Sequence, residues 1–540
     1  MNTHANATSG SHAQSGSSSQ GRISTVQYDR PAFRKFVFGD KQNRQLFWIA
    51  LIAMLVEFVI FKIFYPYPDF FSDSYSYLFA AENNLAVNIW PIGYSKFLMA
   101  FHAVSFYDTA LIAFQYFLYS ITALYFYFTI LYFFNVTDNS KLALYVFLFF
   151  NPLFLYVCNY VNSDPLFLAL SLIWITQLIW IIYSPMMYQV FTHAIILFLC
   201  FTVRNNAYYY PVITIITLLL SQHRRYIKFI GMALPVLLIF IFVQRTREAA
   251  YELTGTKTFS LFTGWQLANN ALYIYDHIQV NPAELPSASA RELDTLAKNF
   301  YKKVPPDFNE QLSGYVGNFF IRQPEAPLKT YLMKHYRDTS KLGSVINWGK
   351  GSADFDEYGS WILKKNPVAY ARYFMLMNSR NYFLPPLEKL EVYNLGRNVV
   401  APVAAKWFHY PDNNIKSSSL SAQGYILMAY PFFCLVIHVA MFGLLLWFVI
   451  TRKYRQMSKE FNRTLLILTL FQAANFAFSI TATIIVMRYQ VFPMVVCVGL
   501  IAFMTRLLAP QTVTENSDTS IQQLTADSNN IAAGNAALHP

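Results

Sequence analysis

The stretch that decides the fold is LFWIALIAMLVEFVIFKIFYPYPDFFSD, residues 46–73. Its apolar part ends at Phe64 and contains only two charged side chains, Glu57 and Lys62. At a rise of about 1.5 Å per residue, such a run crosses a hydrocarbon core roughly 30 Å thick as a helix. Similar runs recur along the chain, and the alternating pattern of a membrane β-barrel is absent. The sequence therefore predicts an all-α polytopic membrane protein.

The apolar runs divide the chain into two membrane parts and one large segment between them. We expect ten spans in all, near residues 46–64, 109–134, 141–160, 165–183, 187–203, 207–221, 226–244, 424–450, 464–484 and 488–508. The first seven form a membrane module at 46–244, with a first outer loop at 65–108. The last three lie at 424–510, and residues 245–423 are expected to form a mainly helical extracytoplasmic domain.

Basic residues favour the cytoplasmic ends of spans, and three basic clusters fall on one side when ten spans are counted. They precede the first span, join spans six and seven, and join spans eight and nine: Arg30, Arg34, Lys35, Lys41 and Arg44; Arg224, Arg225 and Lys228; Arg452, Lys453, Arg455, Lys459 and Arg463. Both termini are therefore expected in the cytoplasm and residues 245–423 outside it. Since the net charge of +12 is mostly this topology signal, it gives no reason to expect nucleic acid as a partner.

The regions outside the spans carry few chemical signals. Residues 1–45 are predicted to be a disordered cytoplasmic tail followed by a basic flank, and residues 511–540 a second disordered tail. All four cysteines lie in or beside spans, so neither a disulfide framework nor a cysteine metal site is predicted. No glycine-rich phosphate loop occurs, and a nucleotide is not expected as the energy source.

Short motifs in the outward turns resemble those of GT-C class membrane glycosyltransferases of the aminoarabinose and protein mannosyltransferase type. SDSYSYLFAAENN, residues 72–84, resembles the loop after the first span in which those enzymes carry a catalytic Asp, and WPIGYSKFL, residues 90–98, resembles the element that follows it. NSDPLFLALSLI (162–173), FTVRNNAYYYPV (201–212) and MRYQVFPMVV (487–496) are similar to their acidic turn, their Arg-Pro turn and their late Arg-Tyr element. The order and common side of these motifs give the resemblance its weight.

The resemblance implies a GT-C-like bundle that takes a sugar from a polyprenyl-phosphate donor and passes it to an outward-facing glycan, lipid or protein acceptor. It also implies a multi-pass protein of the bacterial inner (plasma) membrane. Asn205 stands where the family has Pro after the arginine, and Ser95 replaces the second Pro of its turn. The sugar and acceptor subclass therefore stay open.

The same resemblance assigns roles to residues. Asp73 is expected to be the general base that accepts the acceptor hydroxyl's proton, with Arg204 and Arg488 binding the donor phosphate. Asp69, Asp164 and Glu82 are candidate supporting acids, and the expected pocket residues are Tyr77, Trp90, Tyr94 and Tyr489. A helix through Asp69 and Asp73 would place both acids on one face, where a divalent cation could bind, but Pro66 and Pro68 argue against a helix there. The metal is left unknown.

Each site residue also has a structural interpretation. Ser72 or Asp73 could cap a helix beginning near Tyr75, and Asp164 with Pro165 is a typical helix start. Arg204 and Arg488 could anchor spans by reaching the headgroups.

Two other functions are compatible with the sequence. One is a transporter or lipid flippase. Transporters often show internal repeats and helices broken near the bilayer midplane, whereas here the acids cluster outside, no repeat is apparent and a large loop is inserted late in the chain. The other is a non-catalytic relative of the transferases that binds a lipid-linked sugar or an assembly partner.

The charge pattern makes a topological prediction. A reporter fused near residue 340 should be active outside the cytoplasm, and one fused near residue 457 should be active inside it, because the basic clusters orient the spans. Reporter fusions that place both positions on one side would remove Asp73 from its assigned compartment.

Overall fold

The computed structural model describes residues 30–312 and 317–508. Within those ranges the protein is mostly helical, and the only extended pairings are two isolated bridges. The predicted tails at 1–29 and 509–540 lie outside the described residues, whereas the basic flank at 30–45 forms one short helix and the first turn of the next.

Eight helical segments are long and apolar enough to cross a membrane, so the protein has the fold of an all-α multi-pass membrane protein. Ten such spans were expected. The helix at 187–203 has 17 residues and the next one, Tyr210–Leu220, has 11. At about 1.5 Å per residue the second is only about half the thickness of a hydrocarbon core, because a 3₁₀ turn at Asn205–Tyr209 replaces its first turns.

The first membrane part contains eleven of the α-helices that the structure describes. The long helix at its end continues past the predicted boundary at residue 244, and the first loop contains two helices. These helices are α1 Phe33–Gly39, α2 Lys41–Phe64, α3 Ser72–Glu82, α4 Gly93–His102, α5 Asp108–Phe133, α6 Asp138–Phe149, α7 Pro152–Cys158, α8 Ser163–Tyr183, α9 Met187–Val203, α10 Tyr210–Leu220 and α11 Arg225–Thr254.

Residues 255–421, called here the inter-span domain, follow α11. Its helices are α12 Thr263–Leu272, α13 Ala288–Tyr301, α14 Phe308–Leu312, α15 Phe319–Arg322, α16 Pro327–His335, α17 Gly343–Lys365, α18 Pro367–Ala369, α19 Leu376–Phe383 and α20 Pro402–Trp407. A π-helical turn, Tyr370–Met375, joins α18 to α19. The second membrane part then follows with α21 Ala422–Leu427, α22 Tyr430–Ile450, α23 Lys459–Ala482 and α24 Met487–Met504.

Hydrogen bonds around Asp69 join the first loop to the turn before α8 and to the inter-span domain. Asp69 pairs with the turn before α8, since its N–H donates to the Asn159 carbonyl at 2.9 Å and its own carbonyl accepts from Val161 at 3.2 Å. Its buried carboxylate accepts the N–H of Asn394 at 2.9 Å, and the Tyr393 hydroxyl donates to the carbonyl of Pro68 at 3.0 Å. Asp69 therefore joins three separate parts of the chain.

Glycines allow close packing of α12 against α17 in the inter-span domain. A Cβ at Gly264 would overlap the carbonyl oxygen of Ser352, and one at Gly359 would overlap the backbone N of Ala268. The two helices therefore pack backbone to backbone, and neither glycine can gain a side chain without separating them.

This packing predicts the effect of adding a methyl group. Gly264→Ala should lower the unfolding temperature of the purified protein, with a cost of about 1–3 kcal/mol because the new atom has no space. Gly443→Ala, in α22, is the matched control, since no atom lies within 4 Å of the added Cβ there. Scanning fluorimetry of both variants in detergent measures the difference, and equal unfolding temperatures would contradict the packing argument.

Candidate functional site

One buried carboxylate holds two arginines at one end of the bundle. Asp164, in the first turn of α8, forms an ion pair with Arg204 through one oxygen, and its other oxygen accepts from Arg488 at 2.9 Å. Asn162 also donates to Asp164, at 2.7 Å. Two guanidinium groups from distant parts of the chain thus share one carboxylate, which holds them close together.

Three helix N-termini meet around these charges. Arg488 connects α24 to α8 through Asp164, and its guanidinium lies 5.0 Å from the ring of Phe71, the residue that precedes α3. Tyr77 of α3 donates to Ser163 of α8 at 3.0 Å. Since helix N-termini carry partial positive charge, the three helices add to the field of the arginines.

Arg488 occupies a position that helix formation disfavours. A cation in the first turn of a helix is opposed by the helix dipole, yet Arg488 lies in the first turn of α24 and is only 6% exposed. Asp164 and Glu388, whose carboxylate is 3.6 Å from Nε of Arg488, compensate that charge. The burial argues against the interpretation of Arg488 as an anchor reaching the headgroups.

Asp73 lies beside this cluster, in the first turn of α3. Its nearest cation is Lys389 of the inter-span domain, whose Nζ is 3.6 Å from the Asp73 carboxylate and 4.1 Å from the centre of the Phe71 ring. Ser72 donates to Asp73 at 3.2 Å. The site is therefore built by the first loop and the inter-span domain together.

The charges around Asp73 set its protonation state. Burial alone would raise the pKa of Asp73, but the positive charges of Lys389, Arg488 and Arg322 outweigh burial and hold the pKa below its ordinary value. Burial, and then repulsion by Arg488, lowers the pKa of Lys389 to about 7. Asp73 is therefore ionised at neutral pH, while Lys389 can change its charge there.

Glu388 and Lys389 were not identified from the sequence. Glu388 has a backbone φ of 53°, a conformation that costs a residue with a side chain about 1–2 kcal/mol. The segment is fixed next to α24, because the N–H of Met487 donates to the Pro386 carbonyl at 2.9 Å. The only sequence signal was a charged pair after two prolines in a long inter-span segment, a pattern too common to indicate a site.

Three polar atoms of this cluster are buried without a hydrogen bond to any described residue. They are Nζ of Lys389, Nε of Arg488 and one carboxylate oxygen of Glu388. A buried polar group without a partner costs on the order of 1–3 kcal/mol, so its persistence needs a reason. Each nitrogen has a carboxylate oxygen 3.6 Å away, so these contacts are ion pairs longer than a hydrogen bond.

A cavity of about 260 Å³ opens next to the cluster, close to the roughly 300 Å³ at which ligand pockets usually begin. Its wall combines the charges of Asp73, Arg204 and Arg488 with aromatic rings, amides and hydroxyls. The uncharged lining residues include Tyr77, Trp90, Asn162, Ser163, Asn205, Asn206, Tyr208, Phe262, Thr263, Gln266, Asn318, Phe478, Thr483 and Tyr489. Amides and hydroxyls can bond the hydroxyls of a sugar, and aromatic rings can pack on its apolar faces.

The structure places three of the four expected pocket residues on this cavity. Tyr77, Trp90 and Tyr489 line it, and Trp90 packs on Phe262 with ring centroids 4.4 Å apart. Tyr94 does not line it, because its ring is fully buried and its hydroxyl donates to Gln115 at 2.7 Å. Tyr94 supports the site by packing on Tyr77.

Two of the candidate acids lie elsewhere. Asp69 precedes α3 and is buried in the backbone pairing described above, so Asp69 and Asp73 do not share a helical face. Glu82 ends α3, where it forms an ion pair with Lys406. Within the part of the chain that the structure describes, no group of three or more His, Cys, Asp or Glu side chains could hold a metal ion.

The capping interpretations also differ from the observed helix starts. The side chain of Asn162, not of Asp164, caps α8 by accepting the N–H of Ser163 at 2.6 Å. In α3 the Ser74 hydroxyl accepts the N–H of Phe71 at 3.2 Å. Neither Asp73 nor Asp164 is used as a cap, which leaves both carboxylates available to the charge cluster.

No protein-family model, curated protein or solved structure matches this chain. Its function therefore has to be inferred from the residues of the site and their geometry.

The burial of Asp69 predicts a pH dependence of stability. Burial raises the pKa of Asp69 from 3.8 to about 8, so its contribution to stability is complete below about pH 4 and is lost progressively as the pH rises from there to about 8. Asp69→Asn keeps the oxygen that accepts from Asn394 but cannot ionise. Its unfolding temperature should match that of the wild type near pH 4 and exceed it by a growing margin up to about pH 8, above which the difference stays constant.

Glu82→Gln is the control for this experiment, because it removes a carboxylate from the same loop and leaves Asp69 in place. It should lose stability between about pH 4 and 8 as the wild type does. A parallel decline of the wild type and Asp69→Asn would show that Asp69 does not ionise in this range.

Proposed function

We propose that this protein is a membrane glycosyltransferase of the GT-C type, which moves a sugar from a polyprenyl-phosphate donor to an extracytoplasmic acceptor. In this proposal the short helices α9 and α10 complete a bundle of ten membrane helices, and both termini are cytoplasmic in the inner (plasma) membrane of a bacterium. The observation that carries the proposal is an ionised carboxylate, Asp73, on the same cavity as two arginines that share one acid.

The arginine pair supports a phosphate donor. Arg204 and Arg488 both line the cavity, and a guanidinium can bind two phosphate oxygens at once. The buried Nε of Arg488 lacks a hydrogen bond within the described residues. A phosphate placed between the arginines would accept hydrogen bonds from both guanidinium groups.

The position of Asp73 supports its role as the base. The acceptor hydroxyl attacks the anomeric carbon of the donor sugar, forming the new C–O bond, and its proton passes to the Asp73 carboxylate. The bond between the anomeric carbon and the phosphate oxygen breaks, and its electron pair stays on the polyprenyl phosphate held by the arginines. The lowered pKa of Asp73 keeps the carboxylate ready to accept a proton at neutral pH.

Lys389 and Glu388 act in this mechanism as positioning residues. Lys389 holds the Asp73 carboxylate from the side of the inter-span domain, and Glu388 holds the guanidinium of Arg488. The inter-span domain thereby orients both the base and one phosphate-binding residue. Charges that are positioned before the reaction account for a large part of catalysis. The strained backbone at Glu388 serves to position two such charges.

The cavity wall supports a lipid-linked sugar over a solute that crosses the membrane. Phe478, Thr483 and Ile485 come from the end of α23 and the turn after it, beside the membrane part of the chain. Trp90, Gln266 and Asn318 come from the first loop and the inter-span domain. In the proposed complex the lipid approaches from the first group of residues and the acceptor from the second.

The decisive variant is Asp73→Asn. The amide has nearly the same shape but cannot accept the hydroxyl proton, so transfer should fall by about 10²–10⁴-fold while the protein stays folded. Membranes that contain equal amounts of each protein are supplied with a labelled polyprenyl-phosphate sugar, and label in a new product is measured.

Asp69→Asn is the matched control, since it changes the same functional group four residues earlier in a carboxylate that does not line the cavity. It should transfer at close to the wild-type rate. Near-normal transfer by Asp73→Asn would overturn the assignment of the base, and movement of solute across vesicles without a new product would favour a transporter.

A further inference from the structure

A second cavity lies where the inter-span domain meets the ends of the membrane helices. The stretch Pro367–Phe383 crosses the end of α23, where the Tyr370 hydroxyl donates to the Thr481 carbonyl at 2.5 Å and the Asn378 amide donates to the Thr483 carbonyl at 2.7 Å. Phe383 packs on Phe442 of α22, with ring centroids 6.1 Å apart. This stretch therefore lies at the edge of the membrane.

The free face of the stretch is both apolar and basic. Val368 is 78% exposed and Leu376 is 66% exposed, which fits contact with lipid chains at this level. Arg372 and Arg380 are exposed four residues before and after Leu376, and neither has an ion-pair partner among the described residues. Arginines beside exposed apolar residues at a membrane boundary are typical of contact with anionic headgroups.

A cavity of about 550 Å³ opens on this face. Its polar wall contains Arg372, Arg380, Tyr373 and His277, and the rings of Tyr373 and His277 stack with centroids 3.7 Å apart. Its apolar wall contains Met377 and Phe383. None of the residues that line it lines the cavity of Asp73.

The backbone of this wall is irregular. Tyr370–Met375 forms a π-helical turn, and such turns occur frequently at functional sites. A π turn contains an extra residue, so it changes the direction in which the side chains of Arg372 and Tyr373 leave the helix. This irregularity is a second feature of the wall, independent of its charge, that is typical of a binding site.

We propose that this cavity binds the phosphate-bearing headgroup of an anionic membrane lipid, as a site distinct from the proposed transfer site. The two arginines would bind the phosphate, the stacked rings would form a flat wall for the rest of the headgroup, and the acyl chains would lie along Phe383 and Leu376. The apolar wall, continuous with α22, favours a lipid over a free anion. The proposal does not depend on the transferase activity.

The test is lipid binding by the full-length protein in detergent, measured by native mass spectrometry. The probe is phosphatidylglycerol, with phosphatidylcholine of the same chains and inorganic phosphate as the comparison ligands. Each basic residue near an anionic membrane surface contributes roughly a fivefold factor, so Arg372→Ala/Arg380→Ala should weaken phosphatidylglycerol binding about 30-fold. Phosphatidylcholine should bind much more weakly, and inorganic phosphate at the same concentration should not displace the lipid.

A matched double variant, Arg245→Ala/Arg337→Ala, removes the same charge from two exposed arginines that do not line the cavity and should keep wild-type affinity. If the alanine pair lowers the unfolding temperature, Arg372→Lys/Arg380→Lys replaces it, with an expected loss of severalfold because lysine lacks the paired donors. Unchanged affinity in these variants, equal binding of phosphatidylcholine, or displacement by inorganic phosphate would overturn the proposal.

Discussion

The shared ion pair of Asp164 with Arg204 and Arg488 is the interaction on which the site depends. Burying charges is costly unless they are paired and hydrogen-bonded, and this carboxylate uses both of its oxygens on arginines that lie 284 residues apart. It thereby fixes the start of α24 against the start of α8 and the end of α9. The same contact that holds the helices together places both guanidinium groups on the wall of a cavity.

The inter-span domain completes this arrangement. Its segment at 386–394 pairs with the first loop through Asp69 and with the start of α24 through Met487, and between those two attachments it places Glu388 and Lys389 next to the charges. The left-handed backbone at Glu388, and the buried atoms of this cluster that lack a hydrogen bond to any described residue, lower stability locally. Such a loss is usual where a structure is organised for binding or chemistry instead of for packing alone.

The two cavities differ in the burial and the pairing of their arginines. Around Asp73 the arginines are buried and partly neutralised by Asp164, so a bound phosphate would be held in a medium of low dielectric, where each interaction is strong and little affected by salt. Around Arg372 and Arg380 the charges are exposed and lack acid partners within the described residues, so binding there would weaken as salt rises. The first arrangement suits a reacting group and the second suits a headgroup that exchanges with the membrane.

The sequence by itself determined that the protein is membrane-embedded and all-helical. The length and composition of an apolar run are local properties, and a run long enough to cross the hydrocarbon core forms a helix there. It also singled out Asp73, Asp164, Arg204 and Arg488, through the resemblance of the short motifs that contain them to those of GT-C transferases. Only the tertiary structure decided that Asp164, Arg204 and Arg488 meet, that Asp69 and Glu82 lie apart from them, and that Glu388 and Lys389 belong to the cluster. Contacts between residues hundreds of positions apart depend on how helices pack, and helix packing leaves no periodic signal in the local sequence. The shortness of α10 had the same origin, because its apolar residues continue a run that the turn around Asn205 shortens.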